Sequence, residues 1–358
     1  MLYHLLVPLS KYDSFSAFNV VRYLTFRTAL AALTAMFLSF ILGPPLIRRL
    51  TAMKVGQTIR NDGPEAHLSK AGTPTMGGSL IVMAILIPAL LWSDLASLYF
   101  WAVFVVIVGF AAVGFIDDYL KIKRKKGITA KQKLLGQILF GTLAAIMIYA
   151  EKDFTTAMTV PFFKNVSIEL GALYIPVIAF IIVGTSNAVN LTDGLDGLAI
   201  GPTMIAAGTF TLLAYVAGHA RIADYLQIHY VAGAGNLSII SATIIGAGLG
   251  FLWFNTYPAQ VFMGDVGSLP LGGALGALAC ITKNELLLVV IGGIFVMETV
   301  SVIVQVVSFK LTGKRVFAMA PIHHHYELKG WAEPKIIVRF WIIAIILALV
   351  SLTSLKLR

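Results

Sequence analysis

Polar residues that could do chemistry are concentrated in residues 186–201, between two apolar runs. Within this stretch, polar side chains recur at three-residue steps, as Asn187, Asn190, Asp193 and Asp196. Residues three apart lie on one side of a helical turn, so the four side chains are predicted to converge. Carboxylates beside hydrocarbon are costly, which favours a functional role, and a polar turn between two membrane helices is the alternative.

A second acidic group is the pair Asp117 and Asp118, which we expect at the C-terminal end of an apolar helix. A carboxylate there opposes the helix dipole by about 0.3–1 kcal/mol, so two in succession require a cation. Lys121 lies one turn further on and would supply it, and a bound metal ion is the alternative. Neighbouring helical residues point about 100° apart, which predicts different partners for the two acids.

Asp265 lies between Gly264 and Gly267, where another apolar segment begins. Aspartate is a common N-cap, so a purely structural role is open. The residue also offers a hard oxygen ligand, and carboxylates without cysteine partners suit Mg²⁺ or Mn²⁺. A helix N-terminus flanked by glycine favours bound phosphate as well. The residue types alone therefore leave both a capping role and a metal-binding role for Asp265.

Three consecutive histidines, His323, His324 and His325, stand near the C-terminal end of the chain. Their spacing matches no standard zinc pattern, because consecutive residues in regular structure cannot all face one ion. A histidine can donate to phosphate or carry a proton at neutral pH, and we expect at least one of the three to be structural. Glu298 and Gln305, inside an apolar segment, are expected to form hydrogen bonds between helices.

The elements that must position these groups are membrane helices. The chain has 358 residues, of which 58% are hydrophobic and 12% charged, whereas a soluble domain has about 25% charged residues. About 20 apolar residues span a bilayer, and about ten segments approach this length. The segments are residues 24–47, 76–92, 98–116, 134–150, 172–189, 198–216, 237–254, 267–281, 286–309 and 336–352. We expect an all-α polytopic membrane protein with one domain over residues 1–358 and a small external β-hairpin within residues 153–171.

Basic residues orient these segments in the membrane. Most of the 27 Lys and Arg residues fall in alternate loops, near residues 48–70, 121–133 and 310–339. The positive-inside rule places those loops, and with them every polar cluster above, in the cytoplasm and both termini outside. The basic run at 121–133 is short and adjacent to the membrane, so we expect it to set the orientation of the helices and not to bind nucleic acid. Within it, Lys133 is a candidate phosphate contact. Cys280 is the only cysteine, which excludes a disulfide framework.

Six motifs that run through nearly the whole chain resemble the phospho-N-acetylmuramoyl-pentapeptide-transferase family. They are Asn-Asp-Gly-Pro-Glu (61–65), Gly-Thr-Pro-Thr-Met-Gly-Gly (72–78), Phe-Ile-Asp-Asp-Tyr (115–119), Asn-Leu-Thr-Asp-Gly-Leu-Asp-Gly-Leu (190–198), Phe-Asn-Thr-Tyr-Pro-Ala-Gln-Val-Phe-Met-Gly-Asp (254–265) and Ala-Pro-Ile-His-His-His-Tyr-Glu (320–327). The resemblance implies a homodimeric enzyme of the bacterial inner membrane that needs Mg²⁺ and works at the cytoplasmic face. Such an enzyme moves phospho-MurNAc-pentapeptide from UDP-MurNAc-pentapeptide to undecaprenyl phosphate, giving lipid I and UMP.

The resemblance also implies roles for individual residues. Asp265 is the expected magnesium ligand, and Asp117, with Asp118 beside it, is the expected base or positioning group for the lipid phosphate. The residues expected to hold the nucleotide are Lys70, Asn190, Asp193 and Asp196, with Phe262 stacked on uracil. The residues expected near the pyrophosphate or sugar are Thr75, Lys133, Asn255, Gly264, His324 and His325, and His324 is also expected to be catalytic.

Two mechanisms and two other functions remain compatible with the sequence. The lipid phosphate attacks directly, or an aspartate forms a covalent intermediate. The second pKa of a phosphate monoester is about 6, so the nucleophile is already ionised and direct attack is favoured. A transferase of GlcNAc-1-phosphate to a polyprenyl phosphate would share the aspartate motifs but lack residues 321–327. A transporter would place polar residues near the midplane, with internal repeats, whereas here they cluster at one surface.

Overall fold

The computed structural model describes residues 1–53, 72–152, 154–161, 163 and 166–355. Over these residues the fold is a bundle of apolar α-helices with one two-stranded sheet. The motif at residues 61–65 and Lys70, which was predicted to bind nucleotide, lie outside the described residues. Their predicted roles therefore stay predictions.

Fourteen α-helices are present in the described residues. The α-helices are α1 (Leu2–Leu9), α2 (Leu24–Ala52), α3 (Gly78–Trp92), α4 (Leu98–Arg124), α5 (Ala130–Tyr149), α6 (Tyr174–Thr192), α7 (Ile200–Ala217), α8 (Ala220–Leu226), α9 (Leu237–Asn255), α10 (Asp265–Ile281), α11 (Leu288–Ile291), α12 (Gly293–Thr312), α13 (Ile322–Leu328) and α14 (Glu333–Thr353). Short 3₁₀ helices cover Asp13–Arg22, Gly171–Leu173 and Ala234–Asn236.

Eight helical segments of the described chain are long and apolar enough to cross a membrane. The shorter apolar helices α3 and α10, with 15 and 17 residues, occupy two more of the predicted positions. The prediction of an all-α polytopic membrane protein is confirmed. The count of about ten spans and the external position of the termini stay predictions.

Two predicted boundaries differ from the structure for identifiable reasons. The segment 286–309 is divided into α11 and α12 by Gly292, whose φ of −91° and ψ of 22° are not helical, and glycine is a weak helix former. Helix α4 continues to Arg124, so Asp117 and Asp118 lie inside the helix and not at its C-terminal end. The basic side chains in its last turn interact favourably with the helix dipole and stabilise the additional turns of α4.

The small β-hairpin predicted within residues 153–171 is present. Strand β1 (Ala157–Thr159) pairs antiparallel with β2 (Ser167–Glu169). The Thr159 hydroxyl donates to the carbonyl oxygen of Lys283 at 3.1 Å, which fastens the hairpin to the loop after α10. The Lys283 ammonium donates to the Tyr174 hydroxyl at 2.7 Å, and burial lowers the pKa of Lys283 to about 8.

Helix α10 lies at the centre of the bundle, and every residue from Val266 to Ile281 is buried. On one side it packs against α6, where a Cβ on Gly272 would lie 2.5 Å from the Thr185 carbonyl oxygen. On the other side α4 approaches so closely that a Cβ on Gly114 would overlap the backbone of Asp265. Small residues permit this close helix packing. The start of α10 is thereby brought next to the part of α4 that carries Asp117 and Asp118.

Candidate functional site

The three acids predicted to be catalytic converge where α4 meets the start of α10. Carboxylate oxygens of Asp117, Asp118 and Asp265 all lie within 4.8 Å of one another. The first two residues are buried and the third is partly buried. Grouped carboxylate oxygens are the ligands that hard divalent cations prefer. This acid cluster, which is formed by the three aspartates, could therefore hold a metal ion.

Two lysines offset part of the negative charge of the acid cluster. Lys121 Nζ lies 2.8 Å from Asp117 Oδ2, 3.4 Å from Asp118 Oδ1 and 2.9 Å from Asp265 Oδ2. Lys133 Nζ lies 2.8 Å from the same oxygen of Asp265. The prediction that Asp117 and Asp118 have different partners is wrong for this cation, because one long side chain reaches both carboxylates from one turn away.

Backbone amides orient the two carboxylates of α4 in different directions. Asp117 Oδ1 accepts a hydrogen bond from the Ile128 amide at 2.8 Å, and a Cβ on Gly127 would overlap this oxygen. Asp118 Oδ2 accepts from the Val266 amide at 3.1 Å. The loop after α4 holds one acid, and the first turn of α10 holds the other. Both oxygens of each carboxylate are therefore engaged by an amide or by Lys121.

The stretch 186–201 reaches the acid cluster through Asn190. Its Nδ2 donates to Asp265 Oδ1 at 2.7 Å and to Ser268 Oγ at 2.8 Å. The four polar residues were predicted to lie on one side of a helix. Only Asn187 and Asn190 do so, because α6 ends at Thr192. Asp193 and Asp196 follow in a turn that we name the aspartate loop, residues 193–199. Within this turn Gly197 has a φ of +79°, in the left-handed region that favours glycine.

The aspartate loop is joined to the loop before α10. Asp196 is buried, and its Oδ2 accepts from the Ala259 amide at 3.0 Å. Asp193 accepts a hydrogen bond from the Gly264 backbone, and burial raises the pKa of Asp193 to about 8, with neighbouring carboxylates acting in the same direction. Both aspartates thus lie against the segment that leads to Asp265.

Asn255 connects the same two loops through its amide. Its Oδ1 accepts from the Gly197 amide at 2.9 Å, and its Nδ2 donates to the Val261 carbonyl at 2.8 Å. Both ends of this buried side chain are engaged by backbone. A substrate contact of Asn255 would use the second lone pair of Oδ1 or the second hydrogen of Nδ2, and this contact stays a prediction.

The motif at 72–78 pairs with the segment around Phe262. The Phe262 amide donates to the Pro74 carbonyl, and the Gly77 amide donates to the Phe262 carbonyl, both at 2.8 Å. The side chains of Phe262 and Thr75 are partly exposed. Thr75 lies beside Gly264, where a Cβ would be 3.0 Å from the threonine hydroxyl. Thr75 is thus brought to the edge of the acid cluster, since the same Cβ would lie 2.6 Å from Asp118 Oδ2.

We expect the substitution Gly264→Ala to damage both stability and activity. Gly264 has a φ of +71° and a ψ of 178°, a conformation that is essentially restricted to glycine and costs other residues about 1–3 kcal/mol. A new Cβ would also lie 2.6 Å from Asp118 Oδ2. Thermal unfolding of the purified variant should show the loss of stability, and its turnover should fall at least about tenfold.

Gly313→Ala is the control for the backbone effect, because Gly313 has a φ of +70° and no atom within 4 Å of the new Cβ. It should lose stability and keep its turnover per folded molecule. Equal loss of turnover in both variants would contradict a specific effect on Asp118.

The three histidines occupy α13 and point in different directions. His324 Nδ1 lies 2.6 Å from Glu327 Oε2, and His325 Nδ1 accepts from the Ala318 amide at 3.1 Å. His323 is fully buried, and its Nδ1 lies 3.1 Å from Glu298 Oε2. The three rings thus have different partners, and the expectations that at least one histidine is structural and that the three do not share one ion stay predictions.

Sequence reasoning missed Gln137 and the backbone amide of Ile128. Gln137 is buried in α5 and accepts from Asn187 Nδ2 at 2.9 Å, so it supports the helix that carries Asn190. A lone amide in an otherwise apolar segment was the available signal for Gln137. No side-chain pattern marks the Ile128 amide, because any residue except proline supplies one.

The fold and the acid cluster together define a multi-pass membrane protein with a buried, charged site of the kind that transfers anionic groups. Residues 100–283 match the family model described as glycosyl transferase family 4.

Proteins that are similar to this chain over its full length define the family more closely. A protein of Geobacter sp. (strain M21) is 58% identical over 360 residues, one of Syntrophus aciditrophicus (strain SB) 58% over 361, and one of Desulfatibacillum aliphaticivorans 58% over 362. Each match covers 100% of this chain and 100% of the relative. All three relatives are phospho-N-acetylmuramoyl-pentapeptide-transferases, and this chain belongs to the same family.

Proposed function

We propose that this protein, as one transferase domain, moves phospho-MurNAc-pentapeptide from UDP-MurNAc-pentapeptide to undecaprenyl phosphate, giving lipid I and UMP. The observation that carries the proposal is the acid cluster with Lys121 and Lys133 in a membrane bundle of this family. The reaction brings two anionic phosphates together, and fixed cations beside a structured set of acids meet that demand. The names of the relatives favour this donor over UDP-GlcNAc.

The chemistry requires one bond to form and one to break. An oxygen of the lipid phosphate attacks the phosphorus that carries MurNAc, and the bond to the UMP oxygen breaks with its electron pair going to UMP. The nucleophile is largely ionised at neutral pH because its second pKa is about 6, so a strong general base is not the main need. Positioning and charge stabilisation carry most of the catalysis.

The contacts of the acids support direct attack rather than an aspartyl intermediate. Both oxygens of Asp117, Asp118 and Asp265 already accept from an amide or face a lysine. A nucleophilic aspartate would have to give up one of these partners. Accumulation of a phosphosugar–protein adduct after incubation with donor and no lipid acceptor would refute direct attack.

We assign the substrate groups to the parts of the site as follows. Lys133 and Lys121 neutralise the phosphates, and Asp117 and Asp118 orient the lipid phosphate. Asp193 and Asp196 hold the nucleotide, with Phe262 stacked on uracil. The remaining groups assigned to the donor are Lys70, Thr75, Asn190, Asn255, Gly264, His324 and His325.

We propose that the metal is Mg²⁺ and that Asp265, together with Asp117 and Asp118, holds it. Three carboxylates fit a hard cation, and a bound ion would replace the contacts that Lys121 makes to all three. When bound, the ion would screen the phosphates and stabilise the leaving UMP.

Removal of divalent metal is therefore expected to abolish UMP release. We expect a chelator to reduce the rate at least about 10²-fold, and added Mg²⁺ to restore it, because charge stabilisation of this kind contributes that much to rate. Ca²⁺ should restore less, since its coordination is longer and more flexible. Full activity in the presence of excess chelator would contradict the metal assignment.

The function is tested by UMP release from purified protein in detergent with undecaprenyl phosphate and Mg²⁺. UDP-MurNAc-pentapeptide and UDP-GlcNAc are compared as donors at equal concentration. Release from the first donor alone supports the proposal. Release from UDP-GlcNAc would assign the protein to the neighbouring class of transferases.

We also propose that the acid cluster faces the cytoplasm of the bacterial inner membrane and that the protein is a homodimer. Cys280 is buried and is the only cysteine, so single cysteines can be introduced at the exposed positions Lys126 and Lys152. In intact cells an impermeant maleimide should label position 152 and spare 126. Light scattering in detergent should give twice the chain mass of 38.6 kDa.

A further inference from the structure

A buried acid–histidine pair connects α12 to α13 behind the aspartate loop. Neither Glu298 nor His323 has exposed side-chain surface, and His323 Nδ1 lies 3.1 Å from Glu298 Oε2. Within the described part of the chain neither side chain has a hydrogen-bond partner. The pair is a contact of polar groups that are enclosed on all sides by the protein.

Glu298 is the only acidic residue of α12. A carboxylate in an apolar helix is costly unless a partner compensates for the lost hydration, and His323 is the partner that the structure provides. The mechanism above uses neither residue. A buried polar pair that takes no part in the chemistry requires a different explanation.

His323 also contacts the aspartate loop. A Cβ on Gly194 would overlap Nε2 of the His323 ring, so the ring packs directly on the loop backbone. Gly194 follows Asp193 in the chain, and the ring of His324 lies 4.1 Å from the ring of His323. One imidazole therefore touches Glu298 on α12, the loop that carries Asp193 and the histidine that follows it on α13.

We infer that Glu298 and His323 are positioning residues for the nucleotide donor. They fix α13, which carries His324 and His325, against the aspartate loop, which carries Asp193 and Asp196. This inference rests on the proposed function, which assigns both elements to the donor. Small displacements of groups that orient a substrate reduce catalysis without any loss of the reacting groups.

The test uses Glu298→Gln and His323→Asn, which keep approximate size and polarity but change the pair. The KM for UDP-MurNAc-pentapeptide should rise about tenfold, and the KM for undecaprenyl phosphate should change less than about twofold. The double variant should be no worse than the worse single variant, because both changes remove one interaction. Thr299→Val is the matched control on α12, since that hydroxyl donates only to the Phe295 carbonyl of its own helix, and it should leave both KM values unchanged.

Gly194→Ala disturbs the same contact from the loop side and should raise the KM for the donor in the same way. If Glu298→Gln does not fold, Gly194→Ala and His323→Asn together test whether the pair positions the donor site. Folding of each variant is checked by thermal unfolding and by its elution profile in detergent.

Variants that unfold at lower temperature but keep both KM values would show a purely structural pair and overturn the inference. Equal rises of both KM values would overturn it as well. If the wild-type protein releases no UMP from this donor, the proposed function fails. If the wild type is active and the three variants match it, only the positioning role fails.

Discussion

Asp265→Asn is expected to reduce the rate of UMP release about 10³-fold and to weaken the response to Mg²⁺. Asp265 Oδ2 is shared by Lys121 and Lys133, at 2.9 and 2.8 Å, and Oδ1 accepts from Asn190. Asparagine has the same shape but carries no charge, and its NH₂ group would repel an ammonium or a metal ion. The loss should therefore appear in turnover at saturating substrate and in the apparent affinity for Mg²⁺.

Asp94→Asn is the control for this substitution. Asp94→Asn is the same chemical change outside the acid cluster. The Asp94 side chain is half-buried and accepts a hydrogen bond from the Ala96 amide. It should keep wild-type turnover. If Asp265→Asn retains Mg²⁺-dependent turnover with unchanged metal affinity, Asp265 is not a metal ligand.

Lys133→Met is expected to lower kcat/KM for the nucleotide donor about 10²-fold, the effect of removing one fixed charge from an active site. Its ammonium lies 2.8 Å from Asp265 and 3.5 Å from Asn190 Oδ1, and only 18% of the side chain is exposed. Without it, the carboxylate of Asp265 would keep the ammonium of Lys121 and the amide of Asn190 but would lose one of its two positive charges. Steady-state UMP release at varied donor concentration measures the effect.

Lys131→Met separates a local role of Lys133 from the general charge of the basic run. Lys131 is exposed in the first turn of the same helix, so its loss should leave kcat/KM nearly unchanged. Lys133→Arg keeps the charge with a different shape and should retain more activity than Lys133→Met. Equal losses in Lys131→Met and Lys133→Met would mean that the run acts through overall charge.

Composition and periodicity were sufficient for the class of fold. Apolar runs that approach about 20 residues, in a chain with only 12% charged residues, are typical of membrane-spanning helices. The apolar segments therefore located the ten longest apolar helices of the described chain, and the prediction for residues 153–171 located the hairpin. Helix ends were less predictable: α4 runs past Asp118 because the residues after it form a helix readily and carry favourable charge.

The sequence by itself identified the chemistry-bearing residues, because carboxylates, lysines and histidines are rare in an apolar chain and their motifs resemble one family. Only the tertiary structure decided which of them meet. Asp118 accepts from Val266, 148 positions away, because glycines let α10 approach α4. The inward turn of His323 towards Glu298 was likewise decided by packing. Local spacing cannot encode such contacts, since they depend on which helix faces come together in the folded bundle.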